Sequence, residues 1–144
     1  MIAYVDSSVL LRLALGQPNA LWQWRQIDRG VSSALTSTES LRTLDRLRIR
    51  ADLSDIEIAR RRAAILNLIA SLELIEIDAT VLDRAAQPMP TELGTLDAIH
   101  LASALAARSA VPGIDLLSLD DRIRRAGKQL GFNLRPERID SARV

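Results

Sequence analysis

Cysteine is absent from these 144 residues, His100 is the only histidine, Lys128 is the only lysine, and aromatic residues amount to 3%. Without thiols there is neither a disulfide nor a thiolate metal centre, and one imidazole rules out a multi-histidine site. A bound metal therefore has to be a hard ion held by oxygen, for which Mg2+ or Mn2+ is the expected choice. No apolar run reaches the roughly 18 residues that a membrane span needs. The N-terminus lacks the basic segment and cleavage pattern of a secretory signal. No membrane partner is expected, and the expected location is the cytoplasm. There is no internal repeat, long linker or low-complexity tract.

What is present fits an ordinary globular chain: 48% hydrophobic residues, 26% charged, and a formal net charge of +1. The length suits one domain over residues 1–144, with 135–144 expected as a polar C-terminal tail. The near exclusive use of arginine favours bidentate phosphate contacts wherever those residues cluster.

Along the chain, Ile2-Ala3-Tyr4-Val5 reads as a buried strand ending at Asp6-Ser7-Ser8, and a helix follows until Gly16 and Pro18 stop it. A helix carrying Leu21, Trp22, Trp24 and Ile27, a strand Val31–Leu35 and a helix from Thr36 to about Arg50 come next. Ser54 caps a further helix bearing Ile58, Ile65 and Ile69. Then follow a strand Leu74–Ile77, a short helix Ala79–Ala86, a turn through Pro88-Met89-Pro90, and a long apolar helix from about Thr95. A strand Ile114–Leu117, a helix Ser118–Lys128 and a short strand Gly131–Leu134 complete the series. The βα alternation predicts a mainly parallel sheet of four to five strands, covered by helices on both faces, with ligands at the carboxyl ends of the strands.

Four acids fall at those ends: Asp6 after the first strand, Glu39 early in the helix after the second, Asp97 opening the apolar helix, and Asp120 after the fourth strand. Each also has a local explanation. Asp6-Ser7-Ser8 can cap a helix, Thr36-x-x-Glu39 and Ser118-x-x-Asp121 are capping boxes, and Thr95 can cap with Asp97 in the favourable first turn. Capping, however, predicts acids at helix starts on any side of a fold, whereas these four share one edge. At separations near 5 Å, each uncompensated pair would repel by about 3 kcal/mol at an effective dielectric of 20, a penalty that a divalent cation removes.

Tyr4-Val5-Asp6-Ser7-Ser8-Val9-Leu10-Leu11, Ser37-Thr38-Glu39-Ser40-Leu41-Arg42, Leu96-Asp97-Ala98-Ile99-His100-Leu101-Ala102-Ser103-Ala104 and Leu117-Ser118-Leu119-Asp120, in this order, resemble the motifs of PIN-domain ribonuclease toxins of the VapC type. The resemblance implies an α/β/α sandwich, an endoribonuclease using Mg2+ or Mn2+, a VapB-like antitoxin as partner and, commonly, a homodimer. It also implies that Asp6, Glu39, Asp97 and Asp120 form the acidic quartet. On that pattern Asp6 and Asp97 bind metal directly, and Glu39 and Asp120 bind it directly or through water. Ser118 stands in a supporting position where the family usually carries threonine. Asp121 reads as a first-turn helix acid beside Asp120.

Two other functions compete. A catalytically silent PIN-like domain would keep the fold and bind RNA or a partner, which the complete quartet argues against. A Mg2+-dependent phosphatase of another α/β family would need an Asp-x-Asp after its first strand, and position 8 is Ser. The arginines of the hairpin between the second and third long helices, Arg42, Arg46, Arg60 and Arg61 among them, are candidate RNA contacts, against the plainer reading of a solvated helix face. His100, one turn into the apolar helix, is expected to be a packed core histidine rather than a catalytic base. Of Trp22 and Trp24, which face different directions, one is expected in the core.

Overall fold

The computed structural model describes residues 1–16 and 22–139. Five parallel strands form one sheet in the order β3-β2-β1-β4-β5: β1 (Ile2–Val5), β2 (Arg29–Ser33), β3 (Glu73–Ile75), β4 (Asp115–Leu117) and β5 (Leu134–Arg135). Strand β1 is central because it is apolar on both faces, and period-two alternation sends its residues to opposite layers. Ala3 and Val5 join Val9, Leu10, Leu44, Ile65 and Ile69 on one side, while Tyr4 joins Leu101, Ala104 and Ala107 on the other. Leu116 and Leu117 of β4 divide in the same way.

Helices α1 (Ser7–Ala14), α2 (Leu35–Ala51) and α3 (Asp55–Ala70) make one layer, and α4 (Ala79–Ala85), α5 (Thr95–Ala110) and α6 (Asp121–Gln129) make the other. The three-layer α/β/α architecture expected from the βα alternation is therefore present. Strand order reverses at β1, which has β2 on one side and β4 on the other. In open α/β sheets the crevice beyond the carboxyl ends at such a switch is where ligands bind. Here Asp6, the residue after β1, stands at that crevice.

Several boundaries and caps differ from the sequence expectations. The segment expected as a helix through Trp24 to Gly30 is a five-residue 3-10 turn, Trp22–Gln26, because β2 already begins at Arg29. Its expected start at Leu21 and the stop at Pro18 lie outside the described residues; Gly16, with φ +60°, does end α1. Trp24 packs against the cluster beneath α1–α3. Ala34 is the N-cap of α2 without a side-chain bond, and Thr36 instead lies buried with its hydroxyl 2.7 Å from Ser32 Oγ, so the Thr36–Glu39 capping box does not form. The N-cap of α5 is Gly94 rather than Thr95, and that of α6 is Asp120 rather than Ser118, which shortens α6 to start at Asp121. Ser54 caps α3 as expected, accepting from Glu57 N.

The expected tail from Arg135 onward begins inside β5. The guanidinium of Arg124, buried under it, donates to the carbonyls of Ser118, Arg135, Pro136 and Glu137. One cation thereby satisfies three carbonyls of a segment with little regular structure and ties it to the loop after β4 through Ser118, which is how a polar sequence comes to be fixed. Residues 140–144 of that tail lie outside the described residues.

Candidate active site

Asp6 is 1% exposed. Its carboxylate caps α1 by accepting from Ser8 N at 3.0 Å, and it also accepts from the hydroxyls of Ser8 and Ser118. Each hydroxyl is itself oriented by a backbone donor, since Ser8 Oγ accepts from Leu119 N and Ser118 Oγ from Asp120 N, both at 3.0 Å. Ser8 and Ser118 thus tie the loop after β1 to the loop after β4. Burial pushes the Asp6 carboxyl above its ordinary value, the two serine hydroxyls pull it back, and the charge of Asp120 adds to the rise.

Asp120, at the N-cap of α6, uses Oδ1 to accept from Arg122 N and Ile123 N. Asp97, in the first turn of α5, is part-buried, and its carboxyl is raised chiefly by burial and then by the charge of Asp120, with Glu39 adding a smaller rise. His100 and Arg122 offset part of that rise. Asp6, Asp97 and Asp120 therefore share one field at the crevice. Glu39 reaches the same field from the second turn of α2 rather than the first, because α2 starts at Leu35.

His100 joins this site to the core. Its ring is 2% exposed, meets the Tyr4 ring edge-on, and has Nδ1 3.1 Å from the Tyr4 hydroxyl and Nε2 on Glu39 Oε1. A carboxylate can only accept, so Nε2 carries the proton toward Glu39. The expectation of a packed core histidine is met, but the ring also fixes Glu39. The heptapeptide Asp97–Ser103 carries a signal for this, since Asp97 and His100 are one turn apart on one face; the identity of the partner on α2 has no such signal. Ser8 is a second site residue that the sequence presents only as a capping residue, since its second role depends on Leu119, 111 residues away.

Among the described residues, no three Asp, Glu or His side chains stand close enough to form a ready-made ion cage. Each acid except Asp97 already has a protein partner: Asp6 the hydroxyls of Ser8 and Ser118, Glu39 the ring of His100, Asp120 the first turn of α6. The donor chemistry nevertheless suits a hard divalent cation. Carboxylates whose proton affinity is raised by burial and by one another are those a cation stabilises most, and there is no soft ligand to select another metal.

The hairpin arginines are wired differently. Arg42 and Arg48 both pair with Asp45, Arg60 and Arg61 both pair with Glu57, and Arg46 donates to Thr43 Oγ1. All of these partners are three or four residues away on the same helix.

The chain belongs to the PIN-domain family, whose model matches residues 3–129. It is similar to Ribonuclease VapC46 of Mycobacterium tuberculosis, with 40% identity over 132 residues that cover 90% of this chain and 92% of that protein. It is also similar to Ribonuclease VapC35 of the same organism, at 33% identity over 134 residues, with 90% and 92% coverage. Two solved structures share the fold. One is a toxin–antitoxin complex from Klebsiella pneumoniae, with TM-score 0.61, 18% identity and coverage of 82% of this chain and 86% of that one. The other is VapBC2 from Rickettsia felis bound to a promoter DNA fragment, with TM-score 0.63, 13% identity and coverage of 93% and 97%.

Proposed function

We propose that this protein is a metal-dependent endoribonuclease, the toxin of a type II toxin–antitoxin pair, restrained by a VapB-like antitoxin. What supports the reading is the mutual electrostatic influence of Asp6 and Asp120, and of Asp97 with Asp120 and Glu39, beyond the strand ends of a PIN-domain chain 40% identical to a VapC ribonuclease. The same reading takes residues 1–144 as one PIN-like domain, acting in the cytoplasm as a homodimer. Among the described residues, no helix is long and apolar enough to cross a membrane.

Asp6 and Asp97 would hold Mg2+ or Mn2+ directly, with Glu39 and Asp120 doing so directly or through water. When bound, such an ion activates water at neutral pH and neutralises charge developing on the phosphate. The protein's own groups supply positioning. Ser8 and Ser118 fix both Asp6 oxygens, so the most buried acid keeps its orientation when charged. His100 holds Glu39 at the edge of the crevice, where its carboxylate can orient an attacking water or accept its proton. Hydrolysis of this kind needs no 2′-hydroxyl nucleophile, so preference for RNA has to come from the shape and charge of the rim.

The direct test incubates purified protein with RNA and Mg2+ or Mn2+. Cleavage is expected, EDTA should abolish it, and the Asp97→Asn variant should be folded and inactive. Undiminished cleavage by Asp97→Asn would remove Asp97 from the site.

A further inference from the structure

Beside the acidic crevice, the loop Thr91–Gly94 and the exposed face of α6 enclose a cleft of about 580 Å3, lined by Thr91, Glu92, Leu93, Gly94, Arg122 and Arg125. One wall leads straight into α5 and Asp97, and the other follows Asp120 by two residues. Arg122 and Arg125 are three apart, hence on one side of α6, and both are exposed. Among the described residues neither guanidinium pairs with a carboxylate, in contrast to Arg42, Arg48, Arg60 and Arg61. Glu92 is the one acid in the lining, which leaves a surplus of positive charge. Thr91 Oγ1 is buried on the opposite wall without a hydrogen-bond partner.

We infer that this cleft is the subsite that binds the RNA backbone next to the scissile bond, with Arg122 and Arg125 each contacting phosphate. The inference rests on the ribonuclease reading and gives it a direction: the strand enters along α6 rather than along the α2–α3 hairpin. Distance along the helices does not separate the two sides, since Arg42 is roughly 4.5 Å along α2 from Glu39 and Arg122 roughly 3 Å along α6 from Asp120. Pairing decides it, because an arginine already matched to an in-helix acid gains less from a phosphate than one with no carboxylate bound to it. A cationic cleft abutting four acids also solves a problem of approach: the substrate's phosphates are repelled by the crevice and need a counter-charge beside it.

The test compares wild type, Arg122→Ala/Arg125→Ala, Arg122→Lys/Arg125→Lys and Arg60→Ala/Arg61→Ala. Binding of a short fluorescein-labelled single-stranded RNA is read by anisotropy in EDTA across a salt series, and cleavage KM and kcat are read in Mn2+. All substituted positions are at the surface, and thermal melting confirms that each variant is folded. The α6 alanine pair should weaken binding about tenfold at low salt and flatten the slope of log Kd against log salt by about 1.4, the value for two phosphate contacts on a single strand. It should raise KM with kcat within about threefold. The lysine pair should restore most of the slope, and the hairpin pair should change Kd by less than about threefold.

An unchanged slope in the α6 alanine pair, or a larger loss in the hairpin pair, overturns the inference while leaving the ribonuclease reading intact. If the α6 pair binds RNA normally but loses binding to a polyglutamate peptide, the cleft receives an acidic peptide and the inference also falls. A wild-type protein that neither binds nor cleaves RNA defeats the ribonuclease reading itself, and the subsite with it.

Discussion

The acidic crevice and the arginine hairpin are both dense in charge, yet they are held together in opposite ways. In the crevice, Asp6 and Glu39 are held from other elements: Ser118 is 112 residues from Asp6, and His100 is 61 from Glu39. On the hairpin, every ion pair closes within one turn of one helix. Local pairs on a solvated surface are worth roughly 0.3–0.5 kcal/mol each and can be exchanged with little consequence. The arrangement in the crevice exists only in the folded state, and the raised proton affinity of Asp6 and Asp97, due first to burial and then in part to the charge of Asp120, is a cost that a cation can relieve.

The largest effect expected from breaking the crevice is on activity. Asp6→Asn or Asp97→Asn should lower the cleavage rate by at least roughly 100-fold, the usual scale for removing a group that stabilises charge in a transition state. Single-turnover cleavage of RNA measures this, and a loss under about threefold would separate that acid from the chemistry. Next in size comes the support beneath Glu39. His100→Ala removes a buried ring and leaves the Tyr4 hydroxyl and Glu39 without their common partner, so a loss of about 2–4 kcal/mol of stability is expected by denaturant unfolding. A loss below about 1 kcal/mol would mean that the ring is not part of the core wiring.

A subtler effect follows from proton linkage. Burial raises the folded-state pKa of Asp6 and, with the charge of Asp120, that of Asp97, so the native state holds these protons more tightly than the unfolded chain does. Unfolding then releases protons, and this share of stability is present below about pH 3.8, the ordinary aspartate value, and lost as pH rises through the raised folded values. In EDTA, Asp97→Asn should therefore melt higher than wild type at pH 7, with the gap closing toward pH 3.5. Adding Mn2+ should raise the melting temperature of wild type more than that of the variant. A variant that melts lower than wild type at pH 7 in EDTA would contradict a cost of keeping Asp97 charged in the folded state.

The smallest effect is expected on the hairpin. Asp45→Ala releases Arg42 and Arg48 at once, so the denaturant midpoint should stay nearly unchanged while RNA binding tightens slightly at low salt. Weaker RNA binding would show that the local pairs organise this surface rather than merely neutralise it.

Apolar periodicity and the βα alternation, both local properties of the chain, were sufficient to predict a parallel sheet with two helical layers and to place Asp6, Asp97 and Asp120 at its carboxyl edge. Boundaries and caps were less legible. Thr36, Thr95 and Ser118 each have a residue type that caps helices, but Thr36 is drawn to Ser32, Ser118 is drawn to Asp6, and Gly94 takes the cap of α5. A hydroxyl has several good partners, and the sequence contains no information on which will be nearest once the strands pair.

By itself, then, the sequence determined the composition of the candidate site and the side of the fold on which it lies: carboxylate oxygens, no thiols, and acids following parallel strands. The tertiary structure alone decided which groups hold those acids, through Ser8, Ser118 and His100, and which arginines keep their charge unmatched beside them. The physical reason is range. Hydrophobic period and capping preference act over a few residues and can be read in order, whereas desolvation and pairing of charge depend on every group brought near by folding, whatever its distance along the chain.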